Sequence, residues 1–433
     1  MKKWLLVLFI VVAVLQVNAQ QKLTLDNAIS IALKNSYDVE LVRNQLEISN
    51  INNNPGVAGA LPTVNLTASD NEQIISINQK FPDANRNTQR NNVGSNILQM
   101  GVTGTMLLYN GNRVVTTQKR LAQLELLNKN VLNAQLQNTM AIVSVRYYEI
   151  VRQQELLKTI QKSIDVFQKR LDLLEARKEA GLANNADMYQ AKLDLNQQKQ
   201  ALQTQYLIIK QSKADLLQSM IQSPDSVIVI DDKIVIDKNL SLENIKATLP
   251  SNPDYLAAAT QITINQLIEK ETAALRMPSL RATTGFNLNS NKSAAGFILL
   301  NQSYGPFFGV NLSVPLYNGS VFKRQGQVAA INTRSAKLQQ ENLALTLETN
   351  AVKTFNAYTN AITQMQTEAD NYALSGQLLD LVMQKFELAQ ATIIEVRQAQ
   401  QSFENAGYRL VNLQYTAKIA EIELNRLGSK LAL

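Results

Sequence analysis

Four stretches of this chain alternate apolar and polar residues with a period of two. After Pro62, Val64, Leu66 and Ala68 alternate with Asn65, Thr67 and Ser69. Over 97–109, Leu98, Met100, Val102, Met106 and Leu108 share one face, and Gln99, Gly101, Thr103 and Thr105 fall mostly on the other. After Pro278, Leu280, Ala282, Phe286 and Leu288 alternate with Arg281, Thr283 and Asn287. Over 307–317, Phe308, Val310, Leu312, Val314 and Leu316 alternate with Gly309, Asn311 and Ser313. Successive side chains of a strand point to opposite faces, so the pattern predicts strands at 62–70, 97–110, 278–290 and 305–318. The polar, Asn-rich stretch 70–96 and its shorter counterpart 290–304 read as the loops that join each pair.

The period then changes. No proline interrupts 113–180 or 321–388, and Val131, Ala134, Ala141, Val145 and Tyr148 recur at helical spacing. At about 1.5 Å per residue, a helix over 113–180 would be roughly 100 Å long. A second helix follows each, over 185–222 and 392–427. Phe403, Ala406, Leu410, Leu413, Ala417, Ala420, Leu424 and Leu427 keep a 3-4-3-4 spacing, and Leu195, Leu202, Ile209 and Leu216 recur every seven. This is coiled-coil patterning, and the intervening Ala, Ser and Gln suit close packing with a wet face.

The chain is written twice. "LTLDN" from Leu23 is echoed by "LSLEN" from Leu240, "ALPTVNLTAS" around Pro62 by "RMPSLRATTG" around Pro278, and "LLYNGNR" (107–113) by "PLYNGSV" (315–321). "KEAGLANNADMYQA" (178–191) aligns with "FELAQATIIEVRQA" (386–399). The separations 181 − 109 and 389 − 317 both equal 72, so nothing is inserted between those marks. The Pro-to-Tyr separations differ, 109 − 62 = 47 against 317 − 278 = 39, and place the length variation in an exposed loop. The expected organisation is a first repeat over 20–222, a joining segment over 223–242 and a second repeat over 243–428. Asn-Gly is a turn signal, yet a helix follows it here. Tyr109, Asn110 and Gly111, and likewise Tyr317, Asn318 and Gly319, therefore mark the change from strand to helix.

One apolar face per strand fits a soluble sandwich or a membrane barrel. Four strands of about ten residues cannot close a barrel, and lipid tolerates no open sheet edge. Small transmembrane barrels need about eight strands, so several copies must each lend four.

Composition narrows the chemistry. Lys2 and Lys3 precede an apolar run from Trp4 to about Val17, and Val17-Asn18-Ala19 offers small residues for cleavage. The layout predicts a secretory signal peptide over 1–19. There are no cysteines and no histidines. Disulfides, thiolate metal sites and N-terminal lipidation on cysteine are excluded, and the commonest general base and metal ligand is missing. No enzyme, cofactor or metal site is expected. The net charge of +7 includes the two signal lysines, and an exported chain of this kind is not expected to bind nucleic acid.

Doubled strand pairs with two long helices in each half resemble the TolC-like outer-membrane efflux family. "LTLDNAISIALKNS", the proline before each first strand, the two "LYNG" phrases and "GLANNADMYQAK" carry the resemblance, which spans Leu23 to about Gly428. The resemblance implies an α+β membrane protein. Each of three copies would contribute four strands to a 12-stranded barrel, above a long antiparallel coiled-coil α-barrel in the periplasm. It also implies a homotrimer in contact with outer-membrane lipid. An inner-membrane pump and a periplasmic adaptor would be its partners, and 223–242, with "VIVIDDKIVI", would form an equatorial collar. The number three and the pump come from the resemblance alone.

The helical turns near 181–187 and 389–395 are the candidate site. The family places a glycine, an acidic residue six positions on, and often another acid three further. This chain has Gly181, Asp187 and Gln190 in one half, and Ala389, Glu395 and Gln398 in the other. Ala389 thus replaces a helix-ending glycine, and Gln398 stands where a second carboxylate is common. Glu395, with Gln398 and Asp187, is the candidate pore constriction at the periplasmic tip. Charges converging there would attract cations and repel anions. Thr392-Ile393-Ile394-Glu395 also has capping-box spacing, so Glu395 can equally satisfy a helix start. Asn184 to Asp187 has a similar logic, and the two roles can coexist. Gly181, Leu182, Ala389 and Thr392 are the candidate adaptor-docking turns. Tyr147, Tyr148 and Phe167 read as coiled-coil packing, and Asp231-Asp232 as a solvated pair that could hold a cation.

The function expected is a passive exit duct for small molecules. A type I protein-secretion duct uses the same architecture. A periplasmic structural coiled-coil protein with accessory hairpins is the rival from another class, and the alternating strands argue against it.

Overall fold

The structure, a computed structural model, describes residues 22–181, 183–294 and 298–431. The expected signal segment, 1–19, lies outside the described residues. In chain order the elements are α1 (Leu25–Asn35), α2 (Tyr37–Asn52), β1 (Thr63–Gln79), β2 (Thr88–Tyr109), α3 (Arg113–Glu179) and α4 (Asn185–Ser219). Then come α5 (Leu242–Thr248), α6 (Pro253–Ala274), β3 (Ser279–Ser293), β4 (Leu300–Ser313), α7 (Val321–Glu387) and α8 (Ile393–Leu427). The described residues divide into two compact units, one drawn from 45–129 with 257–340, and one from 22–44 with 130–256 and 341–431. Each unit draws on both halves of the sequence, because α3 and α7 contribute residues to both.

The first unit holds one sheet, ordered β1-β2-β3-β4 with antiparallel neighbours. The register aligns the apolar positions across strands: Leu66 faces Val102, Val102 faces Phe286, and Leu280 faces Leu312. The opposite face carries Thr63, Thr105 and Thr283 in one row and Arg281 opposite Asn311 in the next. The apolar face is bare: Leu66 is 71% exposed, Phe308 76% and Leu312 66%. Leaving a side chain of that size in water forfeits about 1.5–3 kcal/mol. Bare positions that continue across four strands mark a surface that something apolar covers.

The strands are longer than their apolar pattern. The stretch 70–96 is not a loop: β1 runs on to Gln79 and β2 starts at Thr88, paired down to Gln79 opposite Thr88. Likewise most of 290–304 is strand, with β3 reaching Ser293 and β4 starting at Leu300. Polar residues dominate both faces there and the few apolar ones keep no strict alternation, while the backbone ladder continues. The register shifts between Ile75 and Ile77, where Asn92 takes φ +58° and its amide donates to Ser76 Oγ at 3.2 Å. Asparagine tolerates this left-handed position of a bulge better than most residues. At the other end β4 stops at Ser313, so Val314 and Leu316 are not strand residues. Pro315 has no N–H to give the ladder.

The second unit is held by three apolar clusters. Leu23, Ala28, Ile29 and Ala32 of the N-terminal segment and α1 pack with Met140, Val143, Tyr147, Ile150 and Leu216 of α3 and α4. Ile228 and Ile230 of the joining segment belong to the same cluster, and Leu23 N–H donates to Val229 O at 2.9 Å. Tyr147 is fully buried and its hydroxyl donates to Leu23 O (3.0 Å) and to the Asp232 carboxylate. Asp231 pairs with Lys22 at 3.3 Å. The two aspartates thus have protein partners, and no group able to hold a metal ion occurs among the described residues. The coiled-coil positions Ala406, Ala417, Ala420, Leu424 and Leu427 of α8 are buried, as are Leu195, Ile209 and Leu216 of α4. No helix among the described residues is long and apolar enough to cross a membrane.

Candidate functional site

Helix α3 ends where glycine permits a sharp reversal. The Gly181 amide donates to Lys178 O at 3.0 Å, and Gly181 takes φ +74°. Leu182 lies outside the described residues. Asn184 caps α4 by accepting the Asp187 amide on its side-chain oxygen at 2.8 Å. Asp187 itself is half-buried.

The second turn closes the same way without glycine. Gln390 N–H donates to Lys385 O (2.8 Å) and Ala389 N–H to Phe386 O (3.1 Å), a Schellman closure of α7. Ala389 holds φ +59°, at roughly 1–2 kcal/mol for its Cβ. Thr392 then starts α8 with a complete capping box. Its hydroxyl accepts the Glu395 amide at 3.3 Å, and the Glu395 carboxylate accepts the Thr392 amide at 2.6 Å. The Thr392 amide, then its hydroxyl, hold the Glu395 carboxyl below the usual glutamate range. Glu395 and Gln398 are both exposed, one turn apart on α8. No hydrogen bond or ion pair joins Asp187 to Glu395 among the described residues.

Both turns rest on one apolar cluster, in which Phe167, Leu171 and Leu174 of α3 meet Met188 and Leu195 of α4, Phe386 of α7 and Val396 of α8. Ala183, Ala391 and Ile393 of the turns pack against it. Beside this cluster lies a polar core that the sequence reading did not single out. Arg170 is fully buried, donates to Asp194 at 2.6 Å and to Gln400 Oε1 at 2.8 Å, and stacks over Phe167 at 4.9 Å. Arg397 reaches the same Asp194 oxygen at 3.3 Å. Burial lowers the proton affinity of Arg170, but a guanidinium stays charged in proteins. Burial pushes Asp194 up, and the hydrogen bonds from Arg170 and Gln190 with the two guanidinium charges outweigh it, so the carboxyl lies below its usual range. Removing one member of such a buried pair costs about 3–5 kcal/mol. The signal was present: Arg170 sits between Phe167, Leu171 and Leu174 at seam spacing, and Gln400 between Val396 and Phe403. A polar residue in an apolar seam joins helices by hydrogen bonds that fix their register.

The strand-to-helix turns repeat a conformation. Gly111 and Asn112 have φ +66° and +62°, and Gly319 and Ser320 have +65° and +63°. In the first turn Asn110 Oδ1 accepts the Val114 amide at 3.3 Å, capping α3. A Cβ on Gly111 would meet Met277 Cβ at 2.5 Å, so both space and φ require glycine there. Around Gly319 a Cβ meets nothing within 4 Å. Tyr109 ends β2, whereas Tyr317 lies beyond the end of β4 and is 84% exposed.

The profile of a protein family described as "Outer membrane efflux protein" matches residues 28–220 and 244–428. Outer membrane protein TolC of Vibrio cholerae serotype O1 is 22% identical over 380 residues, covering 84% of this chain and 81% of TolC. Among solved structures, the outer membrane protein VceC from Vibrio cholerae superposes with a TM-score of 0.79 at 18% identity, covering 93% of this chain and 96% of VceC. CusC, whose structures concern folding and transmembrane channel formation, gives a TM-score of 0.78 at 15% identity over 94% of this chain and 92% of its own.

Proposed function

Because this chain belongs to the outer membrane efflux protein family, we propose that it is the outer-membrane exit duct of a tripartite efflux system. It passes small molecules passively from an inner-membrane pump or the periplasm to the outside. The observation that carries this reading is the four-stranded sheet with one bare apolar face and two unpaired edges. Lipid covers the apolar face. The edges β1 and β4 run in opposite directions, so β4 of one copy can continue the antiparallel order into β1 of the next. Three copies close 12 strands, and closure removes every edge. The polar face then surrounds water, and cargo crosses by diffusion with no cofactor and no chemical step.

The helical turns make the periplasmic contacts. The turn at Gly181, Leu182, Ala389 and Thr392 docks the periplasmic adaptor, and Glu395 with Gln398 and Asp187 lines the constriction. The capping geometry of Glu395 is compatible with that role, because one carboxylate oxygen takes the Thr392 amide while the group stays in solvent.

A strain lacking the gene tests cargo class. It should become hypersensitive to at least one group of toxic small molecules, and the wild-type gene should restore tolerance. Unchanged tolerance with loss of a protein from the culture medium would replace this reading by a protein-secretion duct.

A further inference from the structure

We propose that a cavity at the helix end of the sheet's polar face binds oxyanions, namely solutes bearing phosphate or carboxylate groups. The cavity lies within the sheet-bearing unit and measures about 580 Å³, within the range of about 300–1,000 Å³ usual for small-molecule sites. Its titratable lining groups are Arg113, Arg120, Arg281 and Glu271, three positive and one negative. Arg120 Nε donates to Glu271 at 2.7 Å, and both side chains are largely covered, so this pair forms a neutral polar wall. Arg113 and Arg281 are left with no carboxylate partner among the described residues. They come from different elements, the first turn of α3 and the third residue of β3, yet line one concave space. Thr105 and Thr117 add neutral hydroxyl donors.

Solvated surface arginines usually point apart into water. Here two arginines without a carboxylate partner among the described residues line one recess, whose walls include Leu107, Val114 and Ile268. A recess with low-dielectric walls focuses the field of the charges that line it. The guanidinium fork matches the two oxygens of a phosphate or carboxylate. The register places Arg281 on the same face as Thr105 and Thr283, opposite the bare apolar face. The site therefore faces water in the duct rather than lipid, which rests on the channel reading above. An anion passing through would pause there, and chloride alone would compete weakly because it cannot be gripped at two points.

The test uses the full-length protein in detergent, titrated calorimetrically with inorganic phosphate and separately with citrate at matched ionic strength. Saturable binding of at least one probe, one site per chain, is expected; the probe that binds tells phosphate from carboxylate recognition. Arg113→Gln and Arg281→Gln should each weaken it at least about tenfold (about 1.4 kcal/mol). Lys119→Gln, an exposed charge on α3 outside the cavity lining, should leave it unchanged. Circular dichroism and oligomer mass check folding. If Arg113→Gln fails to fold, Arg281→Gln, exposed on a strand, carries the test alone. Absence of binding by the wild type, or retention in Arg281→Gln, would overturn the site. Conductance of the same preparation in planar bilayers reports separately on the channel. A conducting pore without oxyanion binding removes only this site, and binding without conductance keeps the site but removes the duct.

Discussion

Glu395 caps a helix and is also the residue proposed for the pore constriction. Its carboxylate closes a capping box with Thr392, which holds its proton affinity below the ordinary range. The sign follows: the box contributes above the unfolded glutamate range, near pH ~4.3, and is lost as pH falls through the lower native value. At neutral pH the group is charged and exposed, so it is available to a constriction. Glu395→Gln keeps the shape and much of the capping but removes one charge per chain. Single-channel recordings should show a lower cation preference and weaker block by multivalent cations. Gln398→Asp should do the reverse from one turn away. Selectivity unchanged in both variants would leave Glu395 with its capping role alone.

Among the elements, the sheet makes the sharpest statement about surroundings. Val102 and Thr103 are neighbours on the central strand β2 and point to opposite faces. Val102 pairs with Leu66 and Phe286 in the apolar row, and Thr103 with Asn65 and Gly285 in the polar one. With lipid on the apolar face, as proposed, Val102→Arg puts a charge into it, at about 2–4 kcal/mol near the midplane. Thr103→Arg puts it in water. The yield of assembled protein in the membrane fraction should fall for the first variant and hold for the second. Equal yields would mean that the apolar face does not meet lipid. Asn311 would be a poorer control, because it stands directly opposite Arg281, where like charges repel.

At the scale of the whole molecule, the proposed duct needs more than one chain. Two strand edges and a bare apolar face in one sheet cannot persist alone in lipid. Native mass spectrometry of detergent-extracted protein should give a trimer. A folded monomer as the main species would remove the barrel argument, while leaving the fold of the single chain as it is. Loss of Arg170 or Asp194 would loosen the four-helix packing beneath the helical turns without touching the sheet, since both belong to the other compact unit.

Wherever an element has one apolar face, it was legible in the sequence. The 3-4-3-4 seam of α8 and the apolar rows of β1 to β4 each place their apolar residues on one face, buried in the seam and bare on the sheet, and the doubled "LYNG" marked where the period changes. The repeat exposed Ala389 as standing in a glycine position, and the capping box could be read from Thr392 and Glu395 alone. Where a strand is mostly polar with no strict alternation, as over 70–96, hydrogen bonding between backbones decides the structure, and backbone groups are the same for every residue type. That is why the strands outran their pattern and why the Asn92 bulge went unseen. Arg170 was not singled out in the sequence, because its partners Asp194 and Gln400 stand on other helices, remote from it along the chain. Arg113 and Arg281 are likewise remote in sequence. Periodicity records only which face of an element a side chain takes, whereas the tertiary structure decides which charges share a buried layer or a cavity, because only folding brings remote segments within the few ångströms over which charges and hydrogen bonds act.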